Sequence, residues 1–154
     1  CMTEYDATYP FQVLFPSTVP EKVLAEVISE AGLAQLHCSE TEKFAHVTYF
    51  FNGGHEPPYP LEDRIIVPSP QVATYDIEPQ MSAAGIAHEL IQAIESEKYS
   101  FIVANFANAD MVGHTAQREA IIRSIETLDI QSNRVFRAAL DKGWRVLLTA
   151  DHGN

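Results

Sequence analysis

Phe101-Ile102-Val103-Ala104-Asn105-Phe106 runs straight into Ala107-Asn108-Ala109-Asp110-Met111-Val112-Gly113-His114-Thr115. The opening residues are aromatic, β-branched and small, and predict a buried strand over Phe101–Ala104. Beyond the polar stretch a helical repeat extends from about Thr115 to Leu140, with Ile121, Ile125, Leu128, Val135 and Ala139 on one side. Lys142-Gly143 stops it, and Arg145 to Thr149 reads as a final strand. Strands alternating with helices of this length predict an α/β chain, a mainly parallel sheet with helices on both faces.

The same alternation continues toward the N-terminus. Phe11 to Phe15 reads as a strand, and Thr18-x-Pro20-Glu21 as a helix start, with Thr18 as cap and Val23, Leu24, Val27, Ile28 and Ala31 at helical spacing behind it. Gly32 ends that helix, and Gln35 to Cys38 is a short strand. Ser39 and Glu42 fit a capping box that favours a helix through Lys43–Phe51, stopped by Gly53-Gly54. A strand competes there, because Phe44, His46, Thr48 and Phe50 alternate. His55 to Asp63 is a proline-rich loop and Arg64 to Val67 a strand. The irregular stretch Ser69–Pro79 is long enough to serve as a lid, a hinge or an interdomain contact. Ser82 caps a helix with Ala87, Leu90, Ile91 and Ile94 on one face.

Ligands of a parallel sheet gather at the carboxyl ends of its strands. Asp110 and His114 follow one such end and are four residues apart, so one helical turn would place carboxylate and imidazole together. Asp151 and His152 follow another, behind Val146-Leu147-Leu148. Each pair has an ordinary alternative: Asp110 and His114 as a cap or surface pair, Asp151-His152-Gly153-Asn154 as turn chemistry. Taken together on neighbouring strands they make a four-ligand pattern. Mixed carboxylate and imidazole donors suit Zn²⁺, Mn²⁺ or Co²⁺ better than Ca²⁺, and a pair of such ions points to phosphoryl transfer. Lys43 sits at a helix start, where a cation opposes the dipole unless it meets an anion; a solvated lysine is the alternative. His37 and His46 read as structural, His55 as a loop residue and His88 as exposed.

A formal net charge of −11 argues against a nucleic-acid partner, since phosphate backbones are bound by clustered Lys and Arg and the basic residues here are few and scattered. Two cysteines, Cys1 and Cys38, with no short spacing between them, indicate neither a disulfide framework nor a thiolate site, and suit a reducing cytoplasm. No apolar run reaches the roughly 20 residues of a membrane span. The chain begins at Cys1-Met2 and stops at Asn154, just past two ligand residues, so it is expected to be an internal piece of a larger metalloenzyme.

Thr41-Glu42-Lys43-Phe44-Ala45-His46-Val47-Thr48-Tyr49-Phe50-Phe51-Asn52-Gly53-Gly54, Glu62-Asp63-Arg64, Ser69-Pro70, Val72-Ala73-Thr74-Tyr75-Asp76, Asn105-Phe106-Ala107-Asn108 with Asp110-Met111-Val112-Gly113-His114-Thr115, and Thr149-Ala150-Asp151-His152-Gly153-Asn154 occur in that order. Together they resemble the 2,3-bisphosphoglycerate-independent phosphoglycerate mutases. The resemblance implies an alkaline-phosphatase-like domain, of which residues 1–154 are a truncated part, with the phosphotransferase domain absent. It implies a cytoplasmic, monomeric glycolytic isomerase that interconverts 3-phosphoglycerate and 2-phosphoglycerate through a phosphoserine, using two divalent ions, usually manganese. By matching motifs, Asp110 and His114 would bind one ion, Asp151 and His152 the other, and Lys43 would reach the phosphoryl group. Ala109 stands where the family commonly has proline, and Leu61 where it frequently has glycine; neither is a ligand. The family's nucleophilic serine and its substrate arginines match nothing in these residues, so the chain alone is expected to be inactive. A related metal-dependent phosphatase or phosphopentomutase, and a noncatalytic interaction domain, are the competing readings.

Overall fold

The computed structural model describes residues 1–154 apart from Ala7, Ser17, Val19, Asp151 and Asn154. Its centre is strand β1 (Gln35–Glu40), all six residues of which are buried. Strands β2 (Glu62–Val67) and β3 (Phe101–Asn105) flank it in parallel, in the order β2-β1-β3. Gln35 is level with Glu62 on one side and with Phe101 on the other, so all three carboxyl ends emerge at one edge.

The two faces of β1 differ chemically because successive side chains point to opposite sides. Leu36 and Cys38 enter an apolar core with Ile86, Leu90 and Ala93 of helix α3 (Ala83–Glu95). Val135 of the long helix α5 (Arg118–Asp141) packs against that core, and α5 lies along α3. Burying the Leu36 and Ile86 side chains contributes on the order of 1.5–3 kcal/mol each. On the opposite face Gln35 and His37 lie beneath helices α1 (Leu24–Glu30) and α2 (Phe44–Val47). The Gln35 amide donates to the Ala25 carbonyl at 2.8 Å, and His37 Nδ1–H to that of Val47 at 2.6 Å. Polar side chains are tolerated in a buried strand because these bonds satisfy them. The α/β expectation, with helices on both faces, is met.

Burial holds the His37 imidazole below its ordinary 6.5, against the opposing pull of the Glu62 carboxylate. The folded protein keeps the ring neutral while the unfolded chain takes up a proton near pH 6.5. This contribution to stability is complete above pH 6.5 and is lost as pH falls toward the folded value. Urea unfolding between about pH 7.5 and 5.5 should show this loss, at most about 1.4 kcal/mol per pH unit, and His37→Gln should remove it. Identical pH slopes in the two proteins would refute the assignment.

Several local expectations are corrected. Phe11–Phe15 is not a strand; a single parallel bridge joins Thr3 to Phe15. The first helix starts at Leu24, after Val23, rather than at Thr18. The capping box fails because β1 carries on through Glu40: Ser39 is buried in the sheet and its hydroxyl donates to the Glu40 carbonyl. The helix expected through Phe51 is a 3₁₀ turn, Thr41–Lys43, followed by the short α2 and turns up to Gly54. Gly53, at φ +66°, closes that segment, and a Cβ there would lie 2.7 Å from Val23 Cγ1. Gly53→Ala should therefore cost about 1–2 kcal/mol in a urea titration, and a neutral result would mean that the turn relaxes freely. Strand β2 begins at Glu62, two residues before Arg64, because the Glu62 carboxylate is held by Asn52, Tyr59 N–H and Arg64. Ser82 does not cap α3; its hydroxyl donates to the Pro68 carbonyl at 2.6 Å. Residues 145–149 form no strand, and Leu147 and Leu148 are 97% and 77% exposed.

Candidate metal centre

Two connections bring chemistry to the carboxyl edge of the sheet. After β1, the 3₁₀ turn delivers Lys43, which is 9% exposed. After β3, helix α4 (Asn108–Gly113) delivers Asp110. The start of α4 is anchored by Asn108, which is fully buried and donates through Nδ2 to the carbonyls of Pro79 (3.0 Å) and Gln80 (2.8 Å). Because β1 and β3 are direct neighbours, residues 67 apart in sequence meet: Lys43 Nζ is ion-paired with Asp110 Oδ2.

The other carboxylate oxygen faces imidazoles. His114 Nε2 lies 3.0 Å from Asp110 Oδ1, one helical turn on, and His152 Nε2 lies 3.9 Å from the same atom. The Lys43 ammonium, chiefly by its hydrogen bond, holds the Asp110 carboxyl below its ordinary value; burial opposes this, and His114 and His152 add to the lowering. Asp110 is therefore an anion at any physiological pH, as a metal ligand must be. His152 Nδ1–H donates to the Gly153 carbonyl at 3.0 Å, which leaves Nε2 as the ring nitrogen facing Asp110. Carboxylate and imidazole side chains gathered at one strand end are the donor types that a divalent cation takes. Among the described residues, no three such side chains close into a metal-holding group. The donor chemistry fits a divalent ion of intermediate softness, with a ligand set that these residues leave short.

Of the site residues expected from sequence, Lys43, Asp110, His114 and His152 meet here, while Asp151 lies outside the described residues. His37 is structural as expected, and His55 and His88 are exposed away from the edge. Sequence reasoning passed over Glu40 and Ser69 as site residues. Glu40 is fully buried at the end of β1, where burial raises its carboxyl above the ordinary range and the Ser69 hydroxyl donates to it at 2.8 Å. Glu40 shows no local pattern in sequence, since a Glu beside a capping residue reads as surface, and Ser69 enters only as part of the Ser69-Pro70 motif, with no role attached. The stretch Ser69–Pro79 is tied down here, with the Tyr75 hydroxyl donating to Glu42 at 2.7 Å and its pKa pushed up to about 12 by burial and that carboxylate.

The pattern described as the Metalloenzyme superfamily matches residues 14–154. The chain belongs to the metalloenzyme superfamily. Within it, this chain is similar to the 2,3-bisphosphoglycerate-independent phosphoglycerate mutase of Wolinella succinogenes, at 53% identity over 99% of this chain and 31% of that protein. It is similar to the protein of the same name from Caenorhabditis elegans, at 50% identity over 99% of this chain and 28% of that one. A solved phosphoglycerate mutase of Leishmania mexicana, determined at low cobalt concentration, superposes with a TM-score of 0.87 at 36% identity, over 99% of this chain and 28% of that one. This superfamily chain thus spans about 30% of the length of the relatives it matches. The match to the solved structure bears out the phosphatase-like α/β fold expected from the motifs. Among the described residues, no helix is long and apolar enough to cross a membrane.

Proposed function

We propose that these residues are the metal-ligating part of a 2,3-bisphosphoglycerate-independent phosphoglycerate mutase, interconverting 3-phosphoglycerate and 2-phosphoglycerate through a phosphoserine. The observation that carries this reading is Lys43 paired with Asp110 at the sheet edge, with His114 and His152 turned to the same carboxylate, in a chain 50–53% identical to proteins of that name. Asp110 and His114 would hold one divalent ion, Asp151 and His152 the second, with manganese as the metal. Bound there, the ions would supply Lewis-acid neutralisation of charge on the phosphoryl oxygens. This is also how a chain of net charge −11 could accept an anionic substrate.

Lys43 has the complementary task. Its ammonium, a compact charge on a flexible four-carbon stem, is largely withdrawn from water beside Asp110, where it would meet a phosphoryl oxygen. A cation preorganised in that setting stabilises the charge that spreads over the transferred oxygens. The ion pair with Asp110 would keep the Lys43 ammonium in place until the substrate arrives. The phosphoryl-accepting serine and the groups that grip the glycerate belong, on this reading, to the parts of the relatives that this chain does not span. Residues 1–154 alone should therefore show no turnover. The partner is phosphoglycerate rather than nucleic acid or membrane, and the working enzyme a cytoplasmic monomer of glycolysis.

The test is a coupled assay with 3-phosphoglycerate and manganese, without added bisphosphoglycerate, on a full-length protein containing these residues and on the 154-residue chain. Turnover in the former alone supports the reading. Phosphate release without isomerisation would replace the mutase with a phosphatase.

A further inference from the structure

Lys43 is aimed by something other than its own helix. Neither the 3₁₀ turn Thr41–Lys43 nor α2 has a side-chain cap, and Lys43 itself leaves helical geometry at φ −120°, ψ 15°. A short turn without caps has little intrinsic stability. It is held from across the sheet by Ser69, which is 5% exposed and lies just beyond β2. The Ser69 hydroxyl donates to Glu40 Oε2 at 2.8 Å and accepts the Glu42 N–H at 3.3 Å, while the Ser69 N–H donates to Thr41 Oγ1 at 3.2 Å. One residue thus bonds to all three positions that immediately precede Lys43. Ser69 is itself restrained: Pro68 and Pro70 flank it, the following proline confines it to extended backbone, and the Pro68 carbonyl accepts the Ser82 hydroxyl.

We propose that Ser69 is a positioning residue for Lys43, latching the turn Glu40–Glu42 so that the ammonium is held on Asp110 at the reacting edge. The step from this latch to turnover rests on the mutase reading above; the latch itself does not. Its chemistry is a set of hydrogen bonds from the buried Ser69 to the turn before Lys43, and the hydroxyl is indispensable because it both donates and accepts. The methyl group of alanine could replace neither bond, whereas threonine keeps the hydroxyl.

The deciding measurement is the acylation rate of each lysine amine in the 154-residue chain, followed by mass spectrometry, with Lys22, Lys98 and Lys142 as internal references. Ser69→Ala should raise the relative rate of Lys43 about tenfold, as expected for two lost hydrogen bonds, and Ser69→Thr should return it toward the wild-type value. Thr41→Val, at an exposed position, removes only the acceptor of the Ser69 N–H and should move Lys43 the same way by a smaller factor. It provides the test if the alanine variant does not fold. Unchanged Lys43 reactivity in folded Ser69→Ala, or in Thr41→Val if that alone folds, overturns the latch. A rise shared equally by the reference lysines overturns it too, because that is general loosening. In the full-length protein Ser69→Ala should lower kcat by about ten- to hundredfold with little change in KM. A wild-type protein without mutase activity would sink the functional reading, while the lysine rates would still decide the latch.

Discussion

Lys43→Met in the full-length protein should reduce kcat by about a hundred- to a thousandfold, the size of effect seen when one preorganised donor to a developing oxyanion is removed. KM for phosphoglycerate should change far less, because the ammonium is needed most when charge accumulates on the transferred oxygens. Methionine keeps the apolar stem of a residue that is 9% exposed, so the loss would not be a packing defect. Lys43→Arg should not restore the rate: a planar fork cannot occupy the place of a compact ammonium between the 3₁₀ turn and α4. Steady-state kinetics checks this directly. A kcat within threefold of wild type would remove Lys43 from the chemistry and leave it a structural partner of Asp110.

Asp110→Ala should abolish measurable turnover and, in isothermal titration of the full-length protein with manganese, eliminate or weaken by at least about tenfold the binding of one ion. Asp110 is the carboxylate on which Lys43, His114 and His152 all converge, so its removal undoes the site rather than one contact. It also leaves the ammonium of Lys43 partly buried without its anion, for a stability cost of about 1–3 kcal/mol. The double variant Lys43→Met with Asp110→Ala should recover part of that stability and none of the activity. Two ions bound with unchanged affinity in Asp110→Ala would overturn the ligand assignment, whatever the kinetics did.

The layers of the chain can be read from its residues because they depend on local periodicity. Leu90 and Ile94 mark the buried face of α3, and the run Phe101–Ala104 marks a strand, without knowledge of any partner. Asp110 and His114 could be nominated from their spacing after the Phe101–Ala104 run. Lys43 and His152 are marked chiefly by the family motifs, since the capping box expected before Lys43 and the strand expected before His152 do not form. Local rules failed where a neighbouring segment competed for the same groups. Ser39 has the right spacing for a cap, yet its backbone pairs with both Ile66 and Asn105 and continues the strand. The apolar run at 146–148 has strand composition, but no strand forms there, because pairing is a relation between two segments and cannot be read from one.

The pairing of Lys43 with Asp110 and the grip of Ser69 on Glu40, Thr41 and Glu42 belong to the tertiary structure alone. Both depend on the strand order β2-β1-β3, which sets the ends of β2 and β3 on either side of the end of β1. Periodicity states which residues are buried and on which face. It carries no information about which strands become neighbours, and it is the neighbours of β1 that bring a lysine, a carboxylate and a serine from three connections to one edge.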